Sequence, residues 1–137
     1  MNRLSLLHWR TILVIDDDVA ALSAMRLRLE AHGAHVMVAA NGFEGFEQLT
    51  QRTPDAILCD LAMPSMGGLE FARRLRSQPR YQRVLLIAVT GRSHRADITD
   101  TWRAGFDGHL AKPLSPATLE ALMQRIGQYV RPEEGQA

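Results

Sequence analysis

The chain has 137 residues, of which 46% are hydrophobic and 23% are charged, and its formal net charge is +1. This length suits one domain with its own buried core, the composition excludes a disordered or fibrous chain, and the near-neutral charge argues against direct nucleic-acid binding. The single cysteine, Cys59, excludes an internal disulfide, and no apolar run reaches the roughly 18 residues of a membrane span. We therefore expect a cytoplasmic domain without a membrane partner.

Short apolar runs alternate with stretches of helical periodicity along the whole chain. This alternation is typical of βα units around a parallel sheet, whose strands are buried on both faces. The predicted strands are Thr11–Ile15, His35–Ala39, Ala56–Cys59, Val84–Val89 and a short fifth strand at His109–Leu110.

Apolar residues at helical spacing predict a helix after each strand. Asp18 and Ser115 are the predicted N-caps of the first and last helices, and Asn41-Gly42 is predicted as a turn. The apolar sets are Leu22-Met25-Leu29, Phe43-Phe46-Leu49, a stretch from Leu69 to Ser77, Ile98-Trp102 and Leu119-Leu122-Ile126.

These elements divide the chain into three parts. We expect an N-terminal extension over residues 1–10, one domain over residues 11–128 and a polar tail over residues 129–137. Within the domain, Cys59 is predicted to be a small buried hydrophobe and not a redox sensor. The arginines at positions 73, 74 and 76 are predicted to form a solvated helix face.

Polar side chains stand at the ends of four of the five predicted strands. Asp16 and Asp17 follow the first strand and Asp60 follows the third. Thr90 follows the fourth strand, and Lys112 lies just past the fifth. In an open parallel α/β sheet these strand ends lie at one edge, where ligands bind. We therefore expect these residues, which are distant in sequence, to converge on one site.

The gathered carboxylates define the chemistry of this predicted site. They repel one another unless a cation joins them, and an all-oxygen ligand set favours a hard ion such as Mg²⁺. A phosphoryl group arriving on Asp60 would bring further negative charge, which Mg²⁺, the Lys112 ammonium and the Thr90 hydroxyl can neutralise. Lys112 is the only lysine beside 15 arginines, which indicates that its position needs a compact ammonium.

Six short motifs carry a family resemblance: Ile12 to Asp18 (ILVIDDD), Asp55 to Pro64 (DAILCDLAMP), Gly67-Gly68, Ala88 to Gly91 (AVTG), Gly105 to Gly108 (GFDG) and Lys112-Pro113. Together they resemble the receiver domains of two-component response regulators, of the single-domain type, over about residues 11–128. The resemblance implies a doubly wound, flavodoxin-like α/β fold with a five-stranded parallel sheet in the order 2-1-3-4-5. It also implies a cis peptide bond before Pro113.

The resemblance further implies how the acidic residues act. Asp60 would be the phosphoacceptor. Asp17 and Asp60, together with the backbone carbonyl of Ala62, would be direct Mg²⁺ ligands. Asp16 would act on the metal largely through water.

Three more residues match the switch of this family. Thr90 and Lys112 correspond to the hydroxyl and the lysine that sense the phosphoryl group. His109 stands where family members usually carry Tyr or Phe, the side chain that moves together with the Thr90 hydroxyl.

The resemblance also implies the partners of the chain. The phosphoryl donor would be a phosphohistidine on a sensor histidine kinase or a phosphotransfer protein. Phosphorylation would change the face made by the fourth helix, the fifth strand and the fifth helix, for an unidentified downstream protein or a phosphorylation-dependent dimer. The chain would be a signalling domain that catalyses only its own phosphorylation and slow dephosphorylation, and not an enzyme acting on other substrates.

Two other interpretations remain open. A pseudo-receiver, an interaction module that keeps the fold without phosphate control, is disfavoured because the predicted pocket is intact. A hydrolase or phosphatase on a similar sheet is disfavoured because Ala62 stands two residues after Asp60, where a second acid would be needed. The sequence also has neither a G-x-S-x-G motif nor a P-loop.

Overall fold

The computed structural model describes residues 6–91 and 98–129. Most of the predicted tail therefore lies outside the described residues. Within these ranges no helix is long and apolar enough to cross a membrane. The strands are β1 Thr11–Ile15, β2 His35–Ala39, β3 Ala56–Asp60, β4 Leu85–Thr90 and β5 Gly108–Ala111. The helices are α1 Val19–Ala31, α2 Gly42–Gln51, α3 Gly68–Arg76, a short 3-10 helix Pro79–Tyr81, α4 Ile98–Ala104 and α5 Pro116–Gln128.

The five strands form one parallel sheet in the order β2-β1-β3-β4-β5, which confirms the predicted fold. Asp60 at the end of β3 lies opposite Val89 of β4, and Thr90 lies opposite Ala111 of β5. All four residues are at the carboxyl edge of the sheet. The register therefore places the predicted site residues on adjacent strands.

Each face of the sheet is covered by its own apolar cluster. The two faces separate neighbouring residues of β3, because side chains alternate along a strand. Ile57 belongs to a cluster with Phe71 of α3, whereas Leu58 belongs to a cluster with Leu29 of α1 and Ile126 of α5. All five side chains are at most 2% exposed. The sheet is thus the buried middle layer of the molecule.

The predicted caps of α1 and α5 are both present. Asp18 accepts hydrogen bonds from the backbone N–H groups of the first turn of α1, and Ser115 accepts one from Thr118 N. Asn41 is also an N-cap, with its side chain accepting from Glu44 N at 2.9 Å, so the predicted Asn41-Gly42 turn is instead the start of α2.

The inward stripe predicted for α2 is wrong at one position. Phe43 is 53% exposed, whereas Leu49 is buried as expected. The helix approaches the core through Gly45, where a Cβ would lie only 2.8 Å from the side chain of Ile15. The face of α2 that packs against the sheet is therefore the one that carries Gly45, and Phe43 lies outside this face.

The spacing of Ile98 and Trp102 predicted the α4 helix correctly, but their side chains do not pack into the core. Ile98 and Trp102 are 59% and 54% exposed, and the buried residues are Thr101 and Ala104. The Thr101 hydroxyl donates to Ile98 O at 2.7 Å, which satisfies its polar group inside the fold. Small residues therefore face the molecule, and the larger ones face solvent.

Residues 6–10 pack against the domain. Leu7 is fully buried, and its backbone N–H donates to His32 O at the end of α1. Arg10 donates to Gly127 O at 2.8 Å and also to Ile126 O. This segment thus joins the carboxyl ends of α1 and α5 at the amino edge of the sheet.

The prediction of a solvated arginine face on α3 is wrong for Arg76. Its side chain is 17% exposed and donates to Gly105 O, Tyr81 O and Val84 O at 2.8–2.9 Å. It also forms a 2.9 Å ion pair with Asp107. Arg76 therefore ties α3 to the segments that precede β4 and β5.

Candidate functional site

The carboxyl edge of the sheet brings the predicted side chains to one place. Asp16 directly follows β1, Asp60 ends β3 and Thr90 ends β4. These three residues are 6%, 8% and 3% exposed, so their polar atoms lie largely out of water. Asp17 is exposed, and Lys112 is partly buried just beyond β5. A buried acidic pocket with one open side results.

The three carboxylates are close enough to share one ion. One oxygen from each of Asp16, Asp17 and Asp60 can be chosen so that all lie within 4.8 Å of one another. Among residues 6–91 and 98–129, no other group of His, Cys, Asp and Glu side chains meets this condition. The donors are all oxygen and negatively charged, which fits a hard cation such as Mg²⁺.

Lys112 links two of these carboxylates. Its ammonium donates a hydrogen bond to Asp16 Oδ2 and lies 3.6 Å from Asp60 Oδ2. The only lysine of the chain therefore stands between carboxylates from two different strands. A single small cation can serve both, whereas a planar guanidinium has a larger and more directional shape.

The charges in the pocket shift the pKa values of its members. Burial raises the pKa of Asp60, and the negative charge of Asp16 adds to this, while the hydrogen bond from Ala62 and the charge of Lys112 oppose it. Burial alone would lower the pKa of Lys112, but the hydrogen bond from Lys112 to Asp16 and the charges of both carboxylates outweigh it and raise the pKa. The pocket thus holds one ammonium against three acids and attracts a further cation.

Two backbone amides orient the carboxylates, and sequence reasoning missed both. Asp18 N donates to Asp16 Oδ1 at 2.9 Å, and Ala62 N donates to Asp60 Oδ1 at 3.1 Å. Every residue except proline has a backbone N–H, so no sequence signal marks these two. The Ala62 carbonyl, predicted as a metal ligand, belongs to the same loop, and its role stays a prediction.

The start of α3 packs directly against the loop that follows Asp60. A Cβ on Gly68 would lie 2.5 Å from the carbonyl oxygen of Asp60 and 2.8 Å from Leu61 Cα. No other residue fits there without moving backbone. The Gly67-Gly68 pair in the sequence was the visible signal of this close approach.

Thr90 and His109 form a pair beside the pocket. Thr90 Oγ1 lies 3.0 Å from His109 Nε2, and Thr90 O accepts a hydrogen bond from Lys112 N. The peptide bond between Lys112 and Pro113 is cis, as the family resemblance implied. The backbone after β5 therefore connects Thr90 with the loop that carries Lys112.

Cys59 is buried next to the pocket and has no reactive character. It is fully buried, and burial raises the pKa of its thiol, as do the charges of Asp60 and Asp16. The thiol therefore stays protonated at physiological pH, and the prediction of a small buried hydrophobe is confirmed.

A doubly wound α/β domain with an acidic, lysine-bridged pocket at its carboxyl edge is the class that fold and site define. The sequence model of one family, described as the response regulator receiver domain, matches residues 12–124. The chain belongs to this family. Receiver domains work in two-component systems, interact with histidine kinases or phosphotransfer proteins, and bind Mg²⁺ at an acidic pocket.

Two curated proteins are similar to most of this chain. The chain is 37% identical over 114 residues to an uncharacterized 14.6 kDa protein of the sodA1 3' region of Leptolyngbya boryana, covering 83% of this chain and 87% of that protein. It is 31% identical over 122 residues to the phosphate regulon transcriptional regulatory protein PhoB of Rhizobium meliloti, covering 89% of this chain. The match covers 54% of PhoB, so the chain spans about half the length of that relative.

Solved structures share the fold. The receiver domain of the sensor histidine kinase PA1611 from Pseudomonas aeruginosa has a TM-score of 0.77 and 28% identity, covering 88% of this chain and 98% of that one. That structure has a magnesium ion coordinated in its active site cleft. The chemotaxis response regulator CheY4 of Vibrio cholerae has a TM-score of 0.78 and 28% identity, covering 85% of this chain and 98% of that one.

Proposed function

We propose that this chain accepts a phosphoryl group on Asp60 from a phosphohistidine of a sensor histidine kinase or a phosphotransfer protein. One observation carries the proposal: Lys112 lies between Asp16 and Asp60 in a pocket whose three carboxylates approach within 4.8 Å. The three carboxylates of this pocket outnumber its single ammonium, so its net negative charge attracts a further cation. The pocket is well suited to a metal ion and a phosphoryl group.

The transfer step uses the side chains that surround Asp60. A carboxylate oxygen of Asp60 attacks the phosphorus, the P–N bond of the phosphohistidine breaks, and its electron pair stays on the imidazole nitrogen. The new O–P bond gives an aspartyl phosphate. Lys112 is positioned to pair with a phosphoryl oxygen, and the Thr90 hydroxyl to donate a hydrogen bond to another.

Asp16, Asp17, Asp60 and the carbonyl of Ala62 are the groups we assign to the metal. Bound there, Mg²⁺ would supply positive charge that offsets the carboxylates and the arriving phosphoryl oxygens. The magnesium ion in the related PA1611 receiver supports this assignment. Asp16 and Asp17 follow β1, whereas Asp60 ends β3 and Ala62 lies in the loop after it, so the assigned groups lie at two neighbouring strand ends.

We assign the output to the face of α4, β5 and α5, with Thr90 and His109 as its switch. The exposed side chains of Ile98 and Trp102 provide apolar surface on α4, which suits contact with a downstream protein or a second, phosphorylated copy. New charge at Asp60 would bias two arrangements of this face.

Phosphorylation with a small donor tests the proposal. The protein is incubated with acetyl phosphate and Mg²⁺, and intact mass is measured with and without a chelator. We expect a gain of one phosphoryl group that needs the metal. Asp60→Asn should show no gain. Asp55→Asn is the matched control at the other end of the same strand, where the carboxylate accepts from Thr11 N, and it should gain the group normally.

Two results would contradict the proposal. Equal phosphorylation of wild type and Asp60→Asn would mean that a residue other than Asp60 accepts the phosphoryl group. A wild-type protein that neither gains mass nor binds beryllofluoride would favour the phosphorylation-independent pseudo-receiver.

A further inference from the structure

The hydrogen bond between Thr90 and His109 has a direction that the surroundings determine. Thr90 ends β4. His109 on β5 lies opposite Ala88 of β4, so its side chain is on the same face of the sheet as that of Thr90. Thr90 is 3% exposed, and its Oγ1 is 3.0 Å from His109 Nε2. Either His109 Nε2 donates its hydrogen to Thr90 Oγ1, or the Thr90 hydroxyl donates its hydrogen to His109 Nε2.

The other ring nitrogen of His109, Nδ1, indicates which of these two hydrogen bonds forms. Nδ1 is buried, and among the described residues no donor or acceptor lies within hydrogen-bonding distance of it. A neutral imidazole carries one hydrogen, so Nδ1 holds either an N–H without an acceptor or a lone pair without a donor. Among buried backbone groups, an N–H without a partner is rarer than an under-satisfied acceptor, and we take the same order for the two nitrogens of the imidazole ring. The favoured tautomer therefore has its hydrogen on Nε2.

We propose that His109 donates from Nε2 to Thr90 Oγ1 and thereby keeps the single hydroxyl hydrogen of Thr90 free for a phosphoryl oxygen on Asp60. A hydroxyl has one hydrogen and two lone pairs. While Oγ1 accepts from His109, its hydrogen is not used in that bond and can be directed at another acceptor. His109 is then a positioning residue that prepares Thr90 before phosphate arrives. This inference rests on the proposed function of Asp60.

Nitrogen NMR tests the tautomer without any substitution. Long-range ¹⁵N–¹H spectra of the wild-type protein at about pH 8, where an ordinary histidine is neutral, distinguish the two ring nitrogens. We expect the hydrogen of His109 on Nε2. A spectrum with the hydrogen on Nδ1 overturns the inference, because Nε2 would then accept the hydroxyl hydrogen of Thr90.

A variant series tests the consequence. Affinity for beryllofluoride with Mg²⁺ is measured for wild type, His109→Phe and His109→Gln, each also in a Thr90→Val background. His109→Phe should bind beryllofluoride about threefold to tenfold more weakly than wild type, because one neutral hydrogen bond is lost. His109→Gln, whose amide nitrogen can donate to Thr90, should recover most of the affinity. In the Thr90→Val background His109→Phe should have no effect.

The outcomes separate this inference from the proposed function. His109→Phe that binds as tightly as wild type, or more tightly, overturns the role of His109. An equal loss in both backgrounds also overturns it, because the ring would then act through packing alone. Wild-type protein that does not bind beryllofluoride contradicts the proposed function of Asp60 itself.

Discussion

The two edges of the sheet are built on different principles. At the amino edge, Arg76 donates to three carbonyls and to Asp107, and Arg10 donates to two carbonyls at the end of α5. At the carboxyl edge, one ammonium, Lys112, serves two buried carboxylates, and a buried nitrogen of His109 has no partner among the described residues.

This difference separates stability from function. The cations at the amino edge satisfy Val84 O before β4 and carbonyls at helix ends, where the helix dipole also favours positive charge. Groups at the carboxyl edge are held close to like charges, an arrangement that a fold selected only for stability would avoid. We therefore expect substitutions at the amino edge to cost stability. Substitutions at the carboxyl edge should change ligand response and can even stabilise the protein.

The largest expected effect is the loss of Arg76. Arg76→Leu removes four hydrogen bonds, three to carbonyls and one to the Asp107 carboxylate, which keeps only its bond from Leu86 N. Because Asp107 is 42% exposed, we take the lower part of the usual range for breaking a buried pair, about 3 kcal/mol of unfolding free energy. Urea unfolding followed by circular dichroism measures this quantity.

Arg73→Leu is the matched control for that experiment. Arg73 lies on the same helix and is exposed, so its substitution should change the unfolding free energy by about 0.5 kcal/mol or less. Similar losses for the two variants would mean that the buried network at the amino edge does not stabilise the fold.

The next effect concerns the packed N-terminal segment. Leu7→Ala removes a fully buried side chain and should cost about 2 kcal/mol. Its neighbour Trp9 is 83% exposed, and Trp9→Ala should leave stability nearly unchanged. Thermal unfolding of both variants compares them. A Leu7→Ala protein as stable as wild type would mean that burial of the Leu7 side chain does not stabilise the fold.

Substitution of Lys112 tests the other edge. Lys112→Arg keeps the charge but replaces a compact ammonium by a planar fork. We expect Mg²⁺ affinity, measured by calorimetry, to stay nearly unchanged while affinity for beryllofluoride falls about tenfold, equivalent to about 1.4 kcal/mol. Arg74→Lys, an exposed swap in the opposite direction, should change neither. A silent Lys112→Arg would contradict the assigned contact with phosphate.

The sequence predicted the sheet well because its strands are buried on both faces and appear as continuous apolar runs. Helix faces were harder. The spacing of Ile98 and Trp102 shows that α4 is a helix, but the neighbouring sheet decides which face packs. The role of Arg76 depends on carbonyls that converge only in the folded chain, and residues 6–10 lack periodicity. Their contacts with α5 span 116 and 117 residues.

The candidate site was predictable for side chains at strand ends and not for what orients them. Asp16, Asp60 and Thr90 follow apolar runs, so topology alone brings them together. The amides that fix the two carboxylates depend on loop conformation, which composition does not specify. The pairing of His109 with Thr90 depends on the register of β5 against β4. Position in the sheet was thus visible in the sequence, whereas hydrogen-bond direction was not.

The smallest expected effect has the opposite sign from the losses at the amino edge. Burial raises the pKa of Asp60, so between the ordinary and the raised pKa the folded state holds its proton more tightly than the unfolded state. Stability therefore falls as pH rises through this window, and the penalty persists above it. Asp60→Asn, which has no charge, should be about 1 kcal/mol more stable than wild type near neutral pH without metal.

Urea unfolding with a chelator, at about pH 7.5 and again at about pH 4.5, measures that gain. The gain should shrink at the lower pH, because wild-type Asp60 is then closer to its protonated form. Asp55→Asn, whose carboxylate at the amino edge accepts from Thr11 N at 2.8 Å, should show no gain at either pH. If Asp60→Asn is no more stable than wild type, or if its gain does not depend on pH, charge crowding does not distinguish the two edges. The contrast between them would then rest on hydrogen bonding alone.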